Sequence, residues 1–210
     1  MNWYWVRTNS LIKRLFSSYV WDVPGPGNQV YLTFDDGPTP EVTAFVLDQL
    51  ARFEAKATFF CIGKNVSDHP QLFARILEQG HKVGNHTQEH PNGWTTPLKQ
   101  YIQGVLDCEA ALGENNSSKL FRPPYGKLTR AQLREVKKLG YKVIMWDVLS
   151  ADFDTSVSPQ KCLENVLRNI RPGSIVIFHD SEKAAPNLVY ALPATLEFMK
   201  KNGLTSAVLP

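Results

Sequence analysis

His86-Thr87-Gln88-Glu89-His90 sets two imidazoles four residues apart, the commonest two-ligand spacing for zinc. An acidic third ligand would complete a two-histidine, one-carboxylate site that keeps a coordination position open for water. Asp35-Asp36 offers that acid. Adjacent carboxylates at a strand end point in different directions, so one can bind a cation while the other stays free as a base. Neither segment is decisive alone, since Asp35-Asp36-Gly37-Pro38 is also an ordinary turn sequence.

The histidine segment also spells HxxEH, a pattern that needs a helix for its glutamate to face a metal. Gly84-Asn85 before it and Pro91-Asn92-Gly93 after it argue for a loop, and Pro91 disfavours helical backbone at His90. Glu89 is therefore read as a solvated bystander. Arg122, Tyr125, Asp147, Asp152, His179 and Asp180 are the other polar residues that stand at the ends of apolar runs.

These residues must be positioned by the elements between them. β-prone runs at 30–34, 57–62, 81–84, 120–122, 141–146 and 174–178 alternate with helical stretches at 40–53, 70–79, 97–112, 129–139, 159–169 and 188–201. Thr39-Pro40 and Ser158-Pro159 read as helix starts, Thr129 with Gln132 as a capping box, and Gly80 and Gly140 as helix stops. Residues 204–209 form a last extended piece. Strands alternating with helices over short connections mean a parallel sheet covered by helices. No GxGxxG follows the first strand, so a closed or nearly closed barrel is expected rather than a dinucleotide fold. Every polar residue named above then lies at a carboxyl-terminal strand end, the face on which such barrels carry their sites.

The chain has 210 residues, 43% of them apolar and 20% charged, which fits one globular domain. A net charge of +3 without a basic run gives no nucleic-acid partner. Cys61, Cys108 and Cys162 are too widely spaced for a zinc knuckle and too few for a disulfide framework, so reduced, buried thiols are expected. There is no transmembrane stretch. Lys13-Arg14 interrupts the apolar run near the N-terminus, so no secretory signal is readable; the compartment stays open, with the cytoplasm slightly favoured over the cell envelope. The aromatic cluster Trp3-Tyr4-Trp5 is expected to pack across the base of the domain, with His69 and His81 on the surface.

Thr33-Phe34-Asp35-Asp36-Gly37, His86-Thr87-Gln88-Glu89-His90, Arg122-Pro123-Pro124-Tyr125 and Ile177-Phe178-His179 resemble motifs of the polysaccharide deacetylase family, the NodB homology domain of carbohydrate esterase family 4. The resemblance covers residues 28–208. It implies a distorted (β/α)7 barrel in a single domain at 28–210, preceded by an N-terminal extension at 1–27. It also implies metal-dependent removal of acetyl groups from carbohydrates. Asp36, His86 and His90 would hold one divalent metal, Zn2+ first, with Co2+ or Ni2+ as substitutes. Asp35 would be the base and His179 the general acid; Arg122 would hold a carboxylate of this set, Asp35 or Asp152, and Asp152 could also raise the pKa of His179. The backbone N–H of Tyr125, next to Pro124, would face the oxyanion. Trp94 and Trp146 read as packing residues, either one also able to stack on a sugar ring. The fourth motif departs from the family pattern: Leu149 and Phe153 replace its aspartate and tryptophan, and only Asp152 remains. The expected substrate is an acetylated glycan, either N-acetylglucosamine in peptidoglycan or chitin-like oligomers, and the expected state is a monomer. An O-acetyl esterase acting on xylan and a non-catalytic carbohydrate-binding relative are the alternatives.

Overall fold

The computed structural model describes residues 5–210. A short helix α1 (Ser10–Leu15) precedes the first strand β1 (Gln29–Asp35). The chain continues through α2 (Pro40–Arg52), β2 (Ala57–Cys61), α3 (Gly63–Asp68), α4 (Pro70–Glu78), β3 (Lys82–Asn85), α5 (Leu98–Leu112) and β4 (Leu120–Phe121). It ends with α6 (Arg130–Lys138), β5 (Lys142–Val143), β6 (Val148–Leu149), α7 (Pro159–Leu167), β7 (Ile175–His179), α8 (Ala185–Lys201) and β8 (Thr205–Ser206).

All strand pairings are parallel, in the order β5-β4-β3-β2-β1-β7-β6, with β8 added beside the start of β1. The period of two along each strand sorts the side chains. Val30, Leu32 and Phe34 of β1, with Ala57 and Phe59 of β2 and Val176 and Phe178 of β7, pack into the main core with the helices. The alternate residues Tyr31, Phe60, Leu120, Ile144 and Ile175 form a second cluster that fills the inside of the curved sheet. The expected distorted barrel is therefore present. The eight strands among the described residues include one split pair. The strand expected at 141–146 is instead a stretch, 142–149, that bends at Asp147 between β5 and β6 and changes partners midway. Its first half bonds β4 through Ile144 N to Phe121 O (2.8 Å), and its second half bonds β7 through Asp147 N to Ile175 O (2.9 Å).

That change of partner leaves half of each edge of the stretch unpaired, and residues 6–23 cover the gap. Leu149 N donates to Val6 O (2.8 Å) and Thr8 N to Asp147 O (2.9 Å). On the other side, Val20 N donates to Val143 O (2.8 Å) and Met145 N to Val20 O (2.7 Å). Between these contacts Lys13 reaches Asp22 (2.6 Å) and pairs with fully buried Asp147. Asp147 is thus corrected: it stands at the amino end of β6, where Ser174 Oγ also donates to it (2.8 Å), and not at the carboxyl end where the chemistry collects. The reason is that the run ends three residues later than expected, at Leu149.

Most helix signals hold. The Thr129–Gln132 capping box forms, and Ser158 caps α7. Thr39 stands at the start of α2 without a side-chain cap; its N–H instead donates to Thr43 Oγ1 (2.7 Å). Helix α8 runs through Pro193. Helices α1 and α3 were not expected. His81 is buried rather than on the surface. Its Nδ1 accepts from Ala57 N–H (3.3 Å), its ring lies 5.4 Å from that of Phe59, and burial holds its pKa down to about 4. Trp5 is 71% exposed and does not pack across the base; Trp3 and Tyr4 lie outside the described residues. The three cysteines are free and buried. Among the described residues no helix is long and apolar enough to cross a membrane.

Candidate active site

Asp35 is the last residue of β1, in register with His179 at the end of β7, so the parallel pairing itself sets the two side by side. Asp35 is buried, and Arg122 Nη1 donates to its Oδ1 at 2.6 Å. Arg122 follows β4 and is fully buried. Three more of its N–H groups donate to Thr33 Oγ1 (2.8 Å), Met145 O (2.8 Å) and Ile144 O (3.3 Å), and its guanidinium lies 4.2 Å over the Phe60 ring. A buried arginine with this many partners is a fixed part, and it fixes Asp35 with it.

Asp36 turns the other way. Its φ of 84° carries the side chain across to the histidine loop, and Asn65 of α3 donates to its carbonyl (2.7 Å). The Asp180 carboxylate locks the next residue, accepting from Gly37 N–H (3.0 Å) and Thr43 Oγ1 (2.5 Å). Any Cβ at position 37 would run into that carboxylate. Burial and the nearby Asp36 push the Asp180 carboxyl up to about 7, while the bonds from Thr43 and Gly37 restrain it.

The histidine loop has no helix, as expected. Thr87 and His90 have φ of 67° and 54°, and His90 N donates to Thr87 Oγ1 (3.1 Å). His86 Nδ1 lies 2.7 Å from Arg122 O. A carbonyl only accepts, so Nδ1 carries the hydrogen and Nε2 presents a lone pair. That Nε2 lies 3.6 Å from Asp36 Oδ1, and His90 Nε2 lies 3.3 Å from the same oxygen. Asp36 Oδ1 is buried and has no hydrogen-bond partner. Two imidazole nitrogens and an orphaned carboxylate oxygen that converge in this way fit a cation between them. One ligand atom from each of Asp36, His86 and His90 lies within 4.8 Å of the others. Two imidazoles and one carboxylate are the donor set of an open, tetrahedral dication site. Burial would raise the Asp36 carboxyl, but contact with His86 and the charges of His179, His86 and His90 hold it well below the usual range. Burial, with His86 beside it, pushes His90 down to about 4, which leaves it neutral and able to ligate.

His179 faces this group from β7. Its Nδ1 is 2.8 Å from Asp152 Oδ1, and its backbone N donates to Asp152 Oδ2 (2.7 Å). Asp152 is fully buried and is itself held by Ser150 Oγ (2.9 Å), while Asn187 Nδ2 donates to its carbonyl (3.0 Å). Burial alone would lower the imidazole pKa. The adjoining Asp152 carboxylate, with Asp36 and Asp35 behind it, outweighs burial and raises it to about 9. Nδ1 is engaged, so Nε2 is the nitrogen left to carry a proton into the site.

Asp35, Asp36, His86, His90, Tyr125 and His179 line one cavity of about 590 Å³. Leu149, Phe153, Trp146 and Ile177 supply its apolar wall, and the Phe153 ring meets that of His179 edge-on at 5.0 Å. The replaced fourth-motif positions thus still form a wall, now aliphatic and phenyl. Tyr125 sits in a 3₁₀ turn, Pro124–Gly126, with φ 58° and its ring 61% exposed. Pro124 is buried, and it is Pro123 that lines the cavity. Glu89 is exposed. The sequence reading missed Asn65, Thr33, Ser150 and Asn187. Each acts through a short polar side chain whose partner is set by tertiary contact rather than by local pattern.

The comparisons agree with this geometry. A family profile described as polysaccharide deacetylase matches residues 22–144. A peptidoglycan-N-acetylglucosamine deacetylase of Bacillus cereus is 34% identical over 197 residues, covering 91% of this chain and 71% of the relative. A chitooligosaccharide deacetylase of Sinorhizobium fredii is 37% identical over 168 residues, covering 77% of this chain and 78% of the relative. The crystal structure of the Bc1960 peptidoglycan N-acetylglucosamine deacetylase superposes with a TM-score of 0.85 at 32% identity, covering 97% of this chain and 95% of that one. With its site built at the carboxyl ends of a curled parallel sheet and its relatives alike over nearly the whole length, this chain belongs to the polysaccharide deacetylase family.

Proposed function

We propose that the protein, as a monomer, hydrolyses the N-acetyl group of N-acetylglucosamine units in peptidoglycan or chitin-like glycans, with Zn2+ as the resident metal and Co2+ or Ni2+ as substitutes. The observation that carries this reading is the division of one cavity into three parts. A candidate cation site of Asp36, His86 and His90 lies between an arginine-held carboxylate, Asp35, and an aspartate-held imidazole, His179. An amide resists hydrolysis because resonance strengthens its C–N bond and its nitrogen leaves poorly without a proton. The dication supplies Lewis acidity, which polarises the acetyl carbonyl and lowers the pKa of water. Asp35 takes the proton from the attacking water, and Arg122 keeps its carboxylate aimed. The Tyr125 N–H donates to the oxygen that gains charge. His179 gives its Nε2 proton to the departing nitrogen as the C–N bond breaks, releasing acetate and a free amine.

The test is acetate release from N-acetylglucosamine oligomers, peptidoglycan and acetyl-xylan, before and after chelation and zinc return. Metal-dependent release from the N-acetylated glycans supports the proposal. Faster release from acetyl-xylan would move the assignment to an O-acetyl esterase, and release from none would leave a carbohydrate-binding protein.

A further inference from the structure

At the edge of the cavity stand two exposed aromatic rings that the chemistry above does not use. Trp94 is 66% exposed and Tyr125 61%, which is costly for rings of this size, yet neither stands on loose chain. Trp94 N donates to Asn92 Oδ1 (3.0 Å), and Thr96 N donates to Asn92 O (3.0 Å). Gln132, buried in α6, donates from Nε2 to Gly93 O (2.8 Å) and Thr96 O (3.0 Å), while its Oε1 accepts from Thr129 N (2.9 Å). Gly93 is pressed so closely on the backbone of Lys127 that a Cβ there would collide with the Lys127 carbonyl. One buried side chain thus clamps the Trp94 loop to the segment that carries Tyr125 and Lys127. The Tyr125 ring in turn meets the His90 ring edge-on at 4.5 Å, so the shelf begins at the candidate metal site.

Lys127 lies between the two rings. Its Nζ is 5.0 Å from the centroid of Trp94 and 5.9 Å from that of Tyr125. Among the described residues no carboxylate pairs with it. A second rim lysine, Lys183, lines the same cavity and is likewise without a carboxylate partner among the described residues. Rigid, exposed aromatic faces suit the apolar C–H faces of a pyranose, and an unpaired ammonium between them suits an anion.

We propose that Trp94, Tyr125 and Lys127 form a subsite for the sugar next to the one being deacetylated. Its chemistry fits a sugar that carries a carboxylate. This inference rests on the glycan-deacetylase reading and narrows it to anionic glycans with alternating N-acetylglucosamine and carboxylated units. The lactyl ether of peptide-free N-acetylmuramic acid is such a carboxylate. The ring stacks on Trp94, and its carboxylate meets Lys127.

The experiment measures binding by calorimetry. The glycans are a peptide-free tetrasaccharide of alternating N-acetylglucosamine and N-acetylmuramic acid, the same glycan with its carboxyls reduced to alcohols, and the N-acetylglucosamine tetramer. Wild-type protein should prefer the carboxylated glycan over its reduced form by about 2- to 5-fold, the scale of an exposed ion pair. Lys127→Met should abolish that preference. Trp94→Ala should weaken all three glycans by about 3- to 10-fold. Unchanged melting temperatures would show that both variants fold. Acetate release is read in parallel on wild type. If no acetate appears but the binding pattern holds, the catalytic reading fails and the subsite stands. If Trp94→Ala binds like wild type, or the carboxylated and reduced glycans bind equally to wild type, the subsite is wrong whether or not acetate is released.

Discussion

Asp35 and Asp36 differ by one position in the chain and by the whole of their surroundings, and their amide variants should fail differently. Asp36→Asn replaces an anionic oxygen with a weaker neutral donor, so metal content measured by elemental analysis should fall. Asp35→Asn keeps Asp36, His86 and His90 in place. It should therefore retain metal while turnover drops about 10²- to 10⁴-fold, the scale of a lost general base. Retained activity in Asp35→Asn would remove that residue from the mechanism. At the other side of the cavity His179 keeps its proton to about pH 9 because Asp152 lies against it. Its folded pKa exceeds the ~6.5 of a free imidazole. The resulting contribution to folding stability is complete below pH 6.5 and disappears as pH rises through about 9. If His179 is the general acid, the alkaline limb of the activity profile should report the same proton. Asp152→Asn removes the principal raising influence, so that limb should move to lower pH; an unmoved limb would assign it to another group.

At the scale of elements, Gln132 and His81 show what tertiary contact adds to local pattern. Gln132→Ala removes one acceptor and two donor bonds from a buried position, so α6 loses the side-chain half of its capping box and the Trp94 loop its clamp. A loss of about 1–3 kcal/mol in urea unfolding is expected. His81 resists protonation until about pH 4, whereas in the unfolded chain it protonates near 6.5. Stability from this group is thus present above pH 6.5 and is lost as pH falls toward 4, and His81→Asn should flatten that slope in acid unfolding curves. Strands such as 30–34 and the capping box at Thr129 were legible because β-branched runs and caps act over a few residues. A candidate cation site was legible in the HxxxH spacing and the paired aspartates at a strand end, while the choice of Asp36 over Asp35 came from the family resemblance. The burial of His81 was not legible, since it depends on Phe59 across a parallel pair. Nor was the partner change within 142–149, which depends on barrel closure. Helix α3, which delivers Asn65 to the Asp36 carbonyl, is six residues long and too short for periodicity to mark.

For the whole molecule, the candidate site depends on a sheet whose last gap is covered by residues 6–23. Lys13 is the ion-pair partner of Asp147, whose side chain is fully buried beside Ser174. Lys13→Met leaves that charge with only Ser174 and a long contact to Arg171 (3.8 Å), and about 3 kcal/mol of stability should be lost in urea unfolding. A loss below a few tenths would mean that Arg171 moves in to replace it. Chain order gives this closure a further consequence. Val6, Thr8 and Val20 leave the ribosome well before the backbone groups they bond, at residues 143–149, which follow more than a hundred residues later. At about 5–20 residues per second of translation, the N-terminal segment waits many seconds with its apolar side chains unpartnered. Synthesis toward the carboxyl end thus postpones the final seam until residues 143–149 exist, and a nascent chain halted before residue 143 should remain open to protease at residues 6–23.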